Sequence, residues 1–450
     1  MSDQSYPPLD ENLGDGLLLR WATPDDAAQL VDFNSTIHGA PTDPATHVGQ
    51  WTADLMRGDH PRVRPEDFTV VVDTNVLDKG RPKIVSTLVL LSEVWSYEEV
   101  EFGFGQPELV GTLADYRRRG LIRLQMEAIH RLSAQRGHLV QGITGNPWYY
   151  RQFGYEMTVN LGGARLFNFA RPGNQVLKPR HVYTVRDAAV DDIPVLHDLY
   201  LRGISHSPLR LVRDEADWRY ALEAASPESV RFCRVKLLEN EAGEVVGYFT
   251  LSTRDRGTVI VDELACAVNW SLRDVALGAL QWLKQEISTL TQTNADRPLD
   301  TLWLNLGEDS PVYAALGQQV ERQDRPYNWY MRVPDLAAFL HHIAPVLERR
   351  LAGSVMAGHS GELKLATGRS RLHLRFEEGR LVEILPYTAN TFVDADVYMP
   401  DETFLHILFQ HRTLAELNSI RKDCFETNAE ARVLINCLFP KCVSNVIGFI

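Results

Sequence analysis

The sequence is poor in cysteine and has no long apolar segment. Only five of its 450 residues are cysteines. They are scattered along the chain and form no Cys-x-x-Cys pair. Cys437 and Cys442 lie near each other but have no second pair of possible metal ligands, so neither a zinc site nor a disulfide framework is indicated. We therefore expect reduced, buried thiols and no bound metal. Because no run of about 18 apolar residues occurs, a membrane span is not expected either.

The chain also lacks an excess of basic residues. It has 46 lysines and arginines against 59 aspartates and glutamates, a formal net charge of −13. A surface that binds nucleic acid needs a basic excess, so no nucleic acid partner is expected. An acidic surface attracts cations such as polyamines, aminoglycosides or lysine side chains, but the same charge also keeps a large protein soluble. Residues 1–8 have no basic region followed by an apolar core, so we expect no signal peptide and a cytoplasmic protein.

A short basic loop is the most informative feature that is present. Residues 109–112 have the composition of a strand, and residues 117–122 follow with the pattern Arg-x-x-Gly-x-(small or apolar) before a predicted helix at about 120–135. The first N–H groups of a helix have no partner within the helix and, together with the helix dipole, attract anions. A glycine in such a loop lets the backbone approach a ligand closely. The three adjacent arginines and the helix start therefore predict a pyrophosphate site.

A second element follows after the predicted helix and the next strand. It contains the motif Tyr150-x-x-Phe153-Gly154-Tyr155. In this order, the two elements resemble the acyl-coenzyme A signature of the GCN5-related N-acetyltransferases (GNAT). In that superfamily a Tyr-x-x-x-Gly-(Phe/Tyr) segment follows the strand, and the segment here is one residue shorter.

The pattern of the first segment is repeated in the second. Two landmarks recur at a nearly constant offset. Arg20, followed by Asp25 and Asp26, corresponds to Arg186, followed by Asp191 and Asp192. The motif Tyr150-x-x-Phe153-Gly154 corresponds to Tyr313-x-x-Leu316-Gly317. Such landmarks indicate a tandem duplication. The second copy has no Arg-x-x-Gly after its corresponding strand at 259–265. One cofactor site per chain, in the first copy, is therefore predicted.

The third segment differs in character from the first two. Its predicted elements are a helix at about 335–352, strands at 361–367, 370–377, 380–385 and 391–398, and helices around 401–410, 413–420 and 428–438. This segment resembles a sterol-carrier-protein-2 (SCP2) domain. The order of the three units is similar to the enhanced intracellular survival (Eis) family of N-acetyltransferases. The resemblance implies an α+β / α/β fold, with a catalytic GNAT domain at 15–175, a degenerate GNAT domain at 180–333 and an SCP2-like α/β domain at 334–450.

The resemblance also implies acetyl-CoA as the acetyl donor and a primary amine, on a small molecule or a peptide, as the acceptor. Leu109, Val110 and Thr112 would bind the pantetheine arm, which agrees with the ability of an unpaired strand edge to bind amide groups. The residues assigned to the pyrophosphate and the nearby 3′-phosphate are Arg117, Arg118, Gly120, Leu121, Ile122 and Arg123. Gly145 and Asn146 would lie beside the cofactor at the end of the next strand.

Tyr150 is the predicted general acid, because a phenol can protonate the thiolate that leaves during acetyl transfer. The base has two interpretations. In the family the C-terminal carboxylate reaches the active site, and here that group would belong to Ile450. The alternative is Glu108 or Glu101, acting through a water molecule. Acceptor specificity is expected in the loops at about 36–66 and 92–106.

A different class of function is also open. The chain could be a lipid-binding or scaffolding protein whose GNAT module uses coenzyme A as a regulator, with little turnover. The intact loop at 117–122 together with Tyr150 favours the enzyme, since a scaffold needs neither. The resemblance further implies a homo-oligomer, which in the family is a hexamer.

Overall fold

Three mixed β-sheets, with helices packed against them, make up the part of the chain that the structure describes. The computed structural model describes residues 6–40, 42–169, 176–254, 258–293, 301–322, 324–388 and 394–449. Each sheet contains antiparallel ladders and one parallel pair of strands. The elements are given below segment by segment.

The first segment alternates long antiparallel strands with three helices. Its strands are β1 (Asp10–Gly14), β2 (Leu17–Trp21), β3 (Phe68–Asp78), β4 (Arg81–Tyr97), β5 (Val100–Thr112), β6 (Val140–Ile143), β7 (Glu156–Leu161) and β8 (Arg165–Asn168), and its helices are α1 (Ala27–His38), α2 (Thr46–Met56) and α3 (Leu121–Gln135). Buried side chains of β3 and β4 pack on α1 and α2 on one face of the sheet and on α3 on the other.

The second segment has a similar order of elements, with an additional strand between its first two helices. Its strands are β9 (Thr184–Asp187), β10 (Leu209–Val212), β11 (Arg234–Glu239), β12 (Val245–Arg254), β13 (Thr258–Val261), β14 (Leu264–Cys266), β15 (Thr301–Leu304), β16 (Glu321–Arg322) and β17 (Tyr327–Arg332), and its helices are α4 (Ile193–Gly203), α5 (Glu215–Arg219), α6 (Leu272–Thr293) and α7 (Pro311–Leu316).

Both copies begin with the same ion pair. Arg20, near the end of β2, pairs with Asp26 at 2.8 Å, and the Asp26 carboxylate also accepts the N–H of Thr23 at 2.8 Å. In the second copy, Arg186 of β9 pairs with Asp192 at 2.6 Å just before α4. The repeated sequence landmark is therefore a strand-to-helix connection that is held by a buried or half-buried carboxylate.

The two copies exchange strands. The first sheet has the order β1-β2-β3-β4-β5-β6-β17-β7, with β10 also paired to β4. Strand β17 of the second segment thus lies between β6 and β7. In return, β8 of the first segment lies between β16 and β15 of the second sheet, whose order is β16-β8-β15-β13-β12-β11-β9. Because each sheet needs a strand from the other segment, the two copies form one structural body.

The third segment has five strands and five helices among its described residues. They are α8 (Leu336–His342), α9 (Ala344–Ala352), β18 (Gly361–Thr367), β19 (Arg371–Glu377), β20 (Arg380–Pro386), β21 (Val397–Met399), α10 (Leu405–Leu408), α11 (Leu414–Ile420), β22 (Phe425–Glu426) and α12 (Ala429–Leu438). The strand order is β20-β19-β18-β21-β22. Alternate side chains of β19 are buried, as its sequence pattern predicts.

Two predictions for the third segment need adjustment. The single helix expected at 335–352 is two helices, α8 and α9, which meet at Ile343. Pro345 lies in the first turn of α9, where it has no N–H to continue the preceding helix and its ring clashes with an earlier carbonyl. Residues 391–393 of the strand expected at 391–398 lie outside the described residues, and the described strand there is β21.

No helix in the described ranges is long and apolar enough to cross a membrane. Within the same ranges, no group of three or more His, Cys, Asp or Glu side chains is arranged to hold a metal ion.

Candidate active site

Strand β5 opens at the place where the sequence predicts the pantetheine arm. The β4–β5 ladder shifts register between Thr87 and Val89, which leaves Leu109 and Val110 without partners in that ladder. Leu109 has φ of 52°, in the left-handed region, as expected for a β-bulge. On its other side, β5 pairs with β6 at only two positions before the strands diverge. The backbone of the bulge is therefore available to an amide-bearing ligand.

The basic loop turns through two residues in the left-handed region. The φ angle is 64° at Arg118 and 76° at Gly120, which is the N-cap of α3. No described atom lies within 4 Å of the place that a Cβ of Gly120 would take, so the start of α3 is open to a ligand. Arg117 donates to the carbonyl of Thr112 at 3.2 Å, while Arg118 is exposed and forms no ion pair with a described residue. The loop thus offers N–H groups and cations to phosphates.

We expect Gly120→Ala to weaken coenzyme A binding by about 10-fold, because a Cβ enters the space beside the helix start and the left-handed φ disfavours a side chain. Isothermal titration calorimetry with coenzyme A would measure the change in the dissociation constant. Gly137→Ala is the matched control, since Gly137 has φ of 72° at the other end of α3 and equally open surroundings. Both variants should lose about 1 kcal/mol of stability. Equal weakening of binding in the two variants would contradict the assignment.

Tyr150 stands on the opposite wall of the cleft. It lies in a 3₁₀ turn and is 4% exposed, and it is one of the residues that line the cleft. A Cβ added to Gly145 would lie 3.8 Å from the Tyr150 hydroxyl, so glycine keeps the space beside that hydroxyl open. The Tyr150 ring packs edge-on against Tyr149, with 5.2 Å between ring centroids, and against Tyr330 at 5.7 Å. The motif neighbour Tyr155 is fully buried and does not line the cleft.

The cleft between these walls has a volume of about 950 Å³. The structure brings all the predicted cofactor residues to it, namely Leu109, Val110, Thr112, Arg117, Arg118, Gly120, Leu121, Ile122, Arg123, Gly145 and Asn146. Ile37 and His38, at the end of α1, also line the cleft, and the sequence had placed them only within the broad loop at 36–66. A Cβ on Gly111 would lie 2.7 Å from Cγ2 of Ile37, so this glycine lets α1 approach the bulge. The motifs carry no signal for that contact, because α1 is far away in sequence.

The structure distinguishes between Glu108 and Glu101, the two glutamates that are candidates for the base. Glu108 lines the cleft, accepts a hydrogen bond from Gln106 at 2.7 Å and lies 3.5 Å from the guanidinium of Arg231. Burial raises the pKa of Glu108, and Arg231 opposes that rise. Glu101 is exposed at the hairpin end of β5, away from the cleft. Burial, and then the negative charge of Glu108, raise the pKa of Tyr150, so its hydroxyl keeps its proton at neutral pH.

The C-terminal tail runs between the two copies. The carbonyl of Val446 accepts the indole N–H of Trp329 at 2.9 Å. The ring of Phe449 packs under the buried guanidinium of Arg213, 3.6 Å from its central carbon to the ring centroid. Ile450, whose carboxylate is the other predicted base, lies outside the described residues.

A second cavity of about 730 Å³ lies between the copies and the tail. Thr144 lines both this cavity and the cofactor cleft, so the two spaces are neighbours beside Gly145. Its charged side chains are Glu228, Asp262, Glu263 and Asp324 on the acidic side and Arg231 and Arg325 on the basic side. Glu263 forms an ion pair with Arg213, and Arg231 with Glu108. Four acidic and two basic side chains thus line the cavity, so acidic groups are in excess.

The expected specificity loops contribute unequally to these spaces. From the loop at 36–66, Ile37 and His38 line the cleft, and His47 and Trp51 line the second cavity. No residue of 92–106 lines either space, because these residues form the far end of the β4–β5 hairpin. The expectation for 92–106 is therefore wrong. Most residues that line the second cavity belong to the second copy, and no sequence motif pointed to them.

A small cavity lies at the corresponding place among the described residues of the second copy. It has a volume of about 60 Å³ and lies near Ile204, Leu264 and Ser310, with Val446 and Ile447 of the tail on its border. The chain's own tail thus takes up space that is open in the first copy. This supports a single cofactor site per chain.

Residues 19–158 match the model of the acetyltransferase (GNAT) domain. The matched segment includes the opened strand, the basic loop and Tyr150. The chain thus contains a GNAT acetyltransferase domain. No curated protein matches the sequence.

Solved structures extend the fold likeness beyond the GNAT domain. A GCN5-related N-acetyltransferase from Kribbella flavida is 17% identical, with a TM-score of 0.65 over 97% of this chain and 98% of that chain. Eis1 from Mycobacterium abscessus is 12% identical, with a TM-score of 0.59 over 95% of this chain and 98% of that chain. The N-myristoyltransferase of Saccharomyces cerevisiae with bound myristoyl-CoA is 12% identical, with a TM-score of 0.50 over 73% of this chain and 80% of that chain.

These likenesses confirm the predicted fold class, a mixed α/β chain with tandem GNAT sheets followed by a further α/β unit. At such low identity they show the fold alone. The SCP2-like character of the third segment stays a prediction.

Proposed function

We propose that this protein is an N-acetyltransferase that transfers the acetyl group of acetyl-CoA to a primary amine of a cationic acceptor, such as a polyamine, an aminoglycoside or a lysine side chain. One observation carries the proposal. The cleft that runs from the open helix start at Gly120 past Tyr150 and Glu108 borders the acidic second cavity, and Thr144 lines both. A donor thioester and an acceptor amine could therefore meet between a proton donor and a proton acceptor.

The residues of the cleft fit coenzyme A. The helix start and the arginines suit its phosphates, and the bulge at Leu109 and Val110 suits the two amides of its pantetheine arm. The myristoyl-CoA in the yeast structure supports a coenzyme A thioester as the donor. The proposal of acetyl as its acyl group comes from the match to the acetyltransferase domain.

In the proposed reaction the amine nitrogen attacks the thioester carbonyl carbon, so a C–N bond forms and the C–S bond breaks. Glu108, through a water molecule, takes the proton that the ammonium must lose before attack. Tyr150 donates a proton to the departing sulfur, which leaves as the free thiol. The nitrogen loses a second proton as the amide forms, and that proton restores the Tyr150 phenol, while the proton on Glu108 passes to solvent. Its raised pKa keeps that proton available at neutral pH.

The charge of the second cavity supports a cationic acceptor. Asp262, on the segment between β13 and β14, accepts a hydrogen bond from Asn305 at 2.7 Å and is half-buried at the cavity wall. Carboxylates in such a concave space attract ammonium groups and raise their local concentration.

The sequence and its resemblance to the Eis family support three further proposals. The catalytic GNAT domain spans 15–175, the degenerate copy 180–333 and an SCP2-like domain 334–450, with β8 and β17 exchanged near the boundaries. The protein is cytoplasmic. It assembles as a homo-oligomer, by analogy a hexamer, and needs no nucleic acid partner.

The test is to incubate the full chain with acetyl-CoA and a panel of amines and to follow free thiol with a chromogenic reagent. We expect thiol release with at least one polyamine, aminoglycoside or lysine peptide, and mass spectrometry should find the acetylated amine. Because the protein has free cysteines of its own, a reaction without acetyl-CoA gives the blank. The acceptor KM should rise with salt, which screens the acidic cavity.

A neutral amine of similar size that reacts as well as the cationic ones would contradict the acceptor class. No thiol release with any amine, alongside tight coenzyme A or fatty-acid binding, would instead favour a coenzyme A-regulated scaffold.

A further inference from the structure

Strand β17, which belongs to the second copy, lies beside the loop that carries Tyr150. Tyr330 of β17 pairs with Ile143, the last residue of β6. Beyond this point the chain of the first copy leaves the sheet and runs through Gly145 and Trp148 to Tyr150. The earlier residues of β17, from Tyr327 onwards, continue along β7 on the other side. The exchanged strand thus forms the floor under residues 144–150.

Two tyrosine hydroxyls of β17 hold this loop by its backbone. The Tyr330 hydroxyl accepts the N–H of Trp148 at 2.5 Å, and the Tyr327 hydroxyl donates to the carbonyl of Gly145. Tyr330 is completely buried, and its ring also packs against that of Tyr150. These contacts lie at both ends of the segment that leads from β6 to the Tyr150 turn.

The loop needs such support because its backbone is strained. Trp148 has φ of 66°, which is unfavourable for a residue with a large side chain, and the residue is 72% exposed, with its ring packed only against the guanidinium of Arg151 among the cation–ring contacts of the described residues. Gly145 has φ of 123° and gives the loop freedom to move. Without its hydrogen bond to Tyr330, Trp148 could relax and carry the adjoining turn with it.

We propose that Tyr330, assisted by Tyr327, is a positioning residue that fixes the Tyr150 hydroxyl in the cofactor cleft. This inference rests on the proposed function of Tyr150 as the general acid. It assigns a catalytic purpose to the strand exchange, since the second copy, which has no cofactor loop, supplies the support for the reacting side chain of the first.

We expect Tyr330→Phe to lower kcat by about 10-fold and to leave the KM for acetyl-CoA within about 2-fold, because the lost hydroxyl acts on the loop and not on cofactor binding. The decisive readout is a double-variant cycle with Tyr150→Phe. If Tyr330 acts through Tyr150, its substitution should change kcat by less than about 2-fold in the Tyr150→Phe background. Fully multiplicative effects would overturn the proposal.

Tyr313→Phe is the matched control. Tyr313 is the counterpart of Tyr150 in the second copy, and its buried hydroxyl accepts the N–H of Leu306 at 3.0 Å and donates to the carbonyl of Gly163 at 3.0 Å. This variant should lose stability to a similar degree but keep the wild-type kcat. An equal fall of kcat in Tyr313→Phe would assign a merely structural role to Tyr330.

Amide hydrogen exchange separates this inference from the proposed function. In Tyr330→Phe the N–H of Trp148 should exchange faster, while amides of α3 stay unchanged, whether or not an acceptor amine is known. Unchanged exchange at Trp148 would overturn the positioning role and leave the proposed function standing. Wild-type protein that releases no thiol with any amine would remove the proposed function, whatever the exchange shows.

Discussion

Tyr150→Phe is expected to lower kcat by about 10²- to 10³-fold while acetyl-CoA still binds. The substitution keeps the ring, which packs against Tyr149 and Tyr330, and removes only the hydroxyl in the cleft. Without a proton donor the sulfur must leave as a thiolate, so the loss falls on the chemical step. Steady-state kinetics with the best amine of the panel would measure kcat, and titration with coenzyme A would measure binding.

Two neighbouring tyrosines provide the controls for Tyr150. Tyr155→Phe removes a fully buried hydroxyl that contacts His130 at 2.9 Å, and it should reduce stability without reducing kcat. Tyr149→Phe removes a hydroxyl from a residue that lines the same cleft and is 37% exposed. A larger loss of kcat in Tyr149→Phe than in Tyr150→Phe would move the role of general acid to Tyr149.

Glu108→Gln is expected to lower kcat by about 10²-fold, because the amide cannot take a proton from the water that faces the ammonium. The variant keeps the shape of the side chain, but it leaves Arg231 without its carboxylate partner. Arg231→Gln would show how much of the loss comes from the broken ion pair. Glu101→Gln, on the same strand but exposed at its far end, is the matched control and should behave as wild type.

The pH profile gives a second measurement on Glu108. Burial raises the pKa of this carboxyl, so the protonated form, which cannot act as a base, persists to higher pH than in a free glutamate. In the wild type, kcat/KM should rise with pH through that raised pKa, and the rise should be absent in Glu108→Gln. Wild-type kinetics and an unchanged profile in Glu108→Gln would assign the base elsewhere. Low activity in a variant extended beyond Ile450 would then favour the C-terminal carboxylate.

The local sequence pattern was enough to predict which residues line the cofactor cleft. The order strand, Arg-x-x-Gly loop, helix and Tyr150 motif places its residues within one continuous stretch, so their proximity follows from short connections. Gly120 shows the physical basis, since its left-handed φ favours glycine and the helix start leaves N–H groups without partners in the helix. The duplication was visible for the same reason, because the Arg20–Asp26 connection is built from residues close in sequence.

The sequence by itself therefore determined the fold class and which loop residues line the cleft, while the tertiary structure decided what surrounds them. Only the fold shows that Glu108 lines the cleft and that Glu101 lies at the other, hairpin end of β5. Only the fold brings Tyr330 under the Tyr150 loop and lines the acidic cavity with residues of the second copy and the tail. These contacts join residues more than a hundred positions apart through the exchange of β8 and β17. Local periodicity and motif spacing describe only residues that are close in sequence, so they could not predict these contacts.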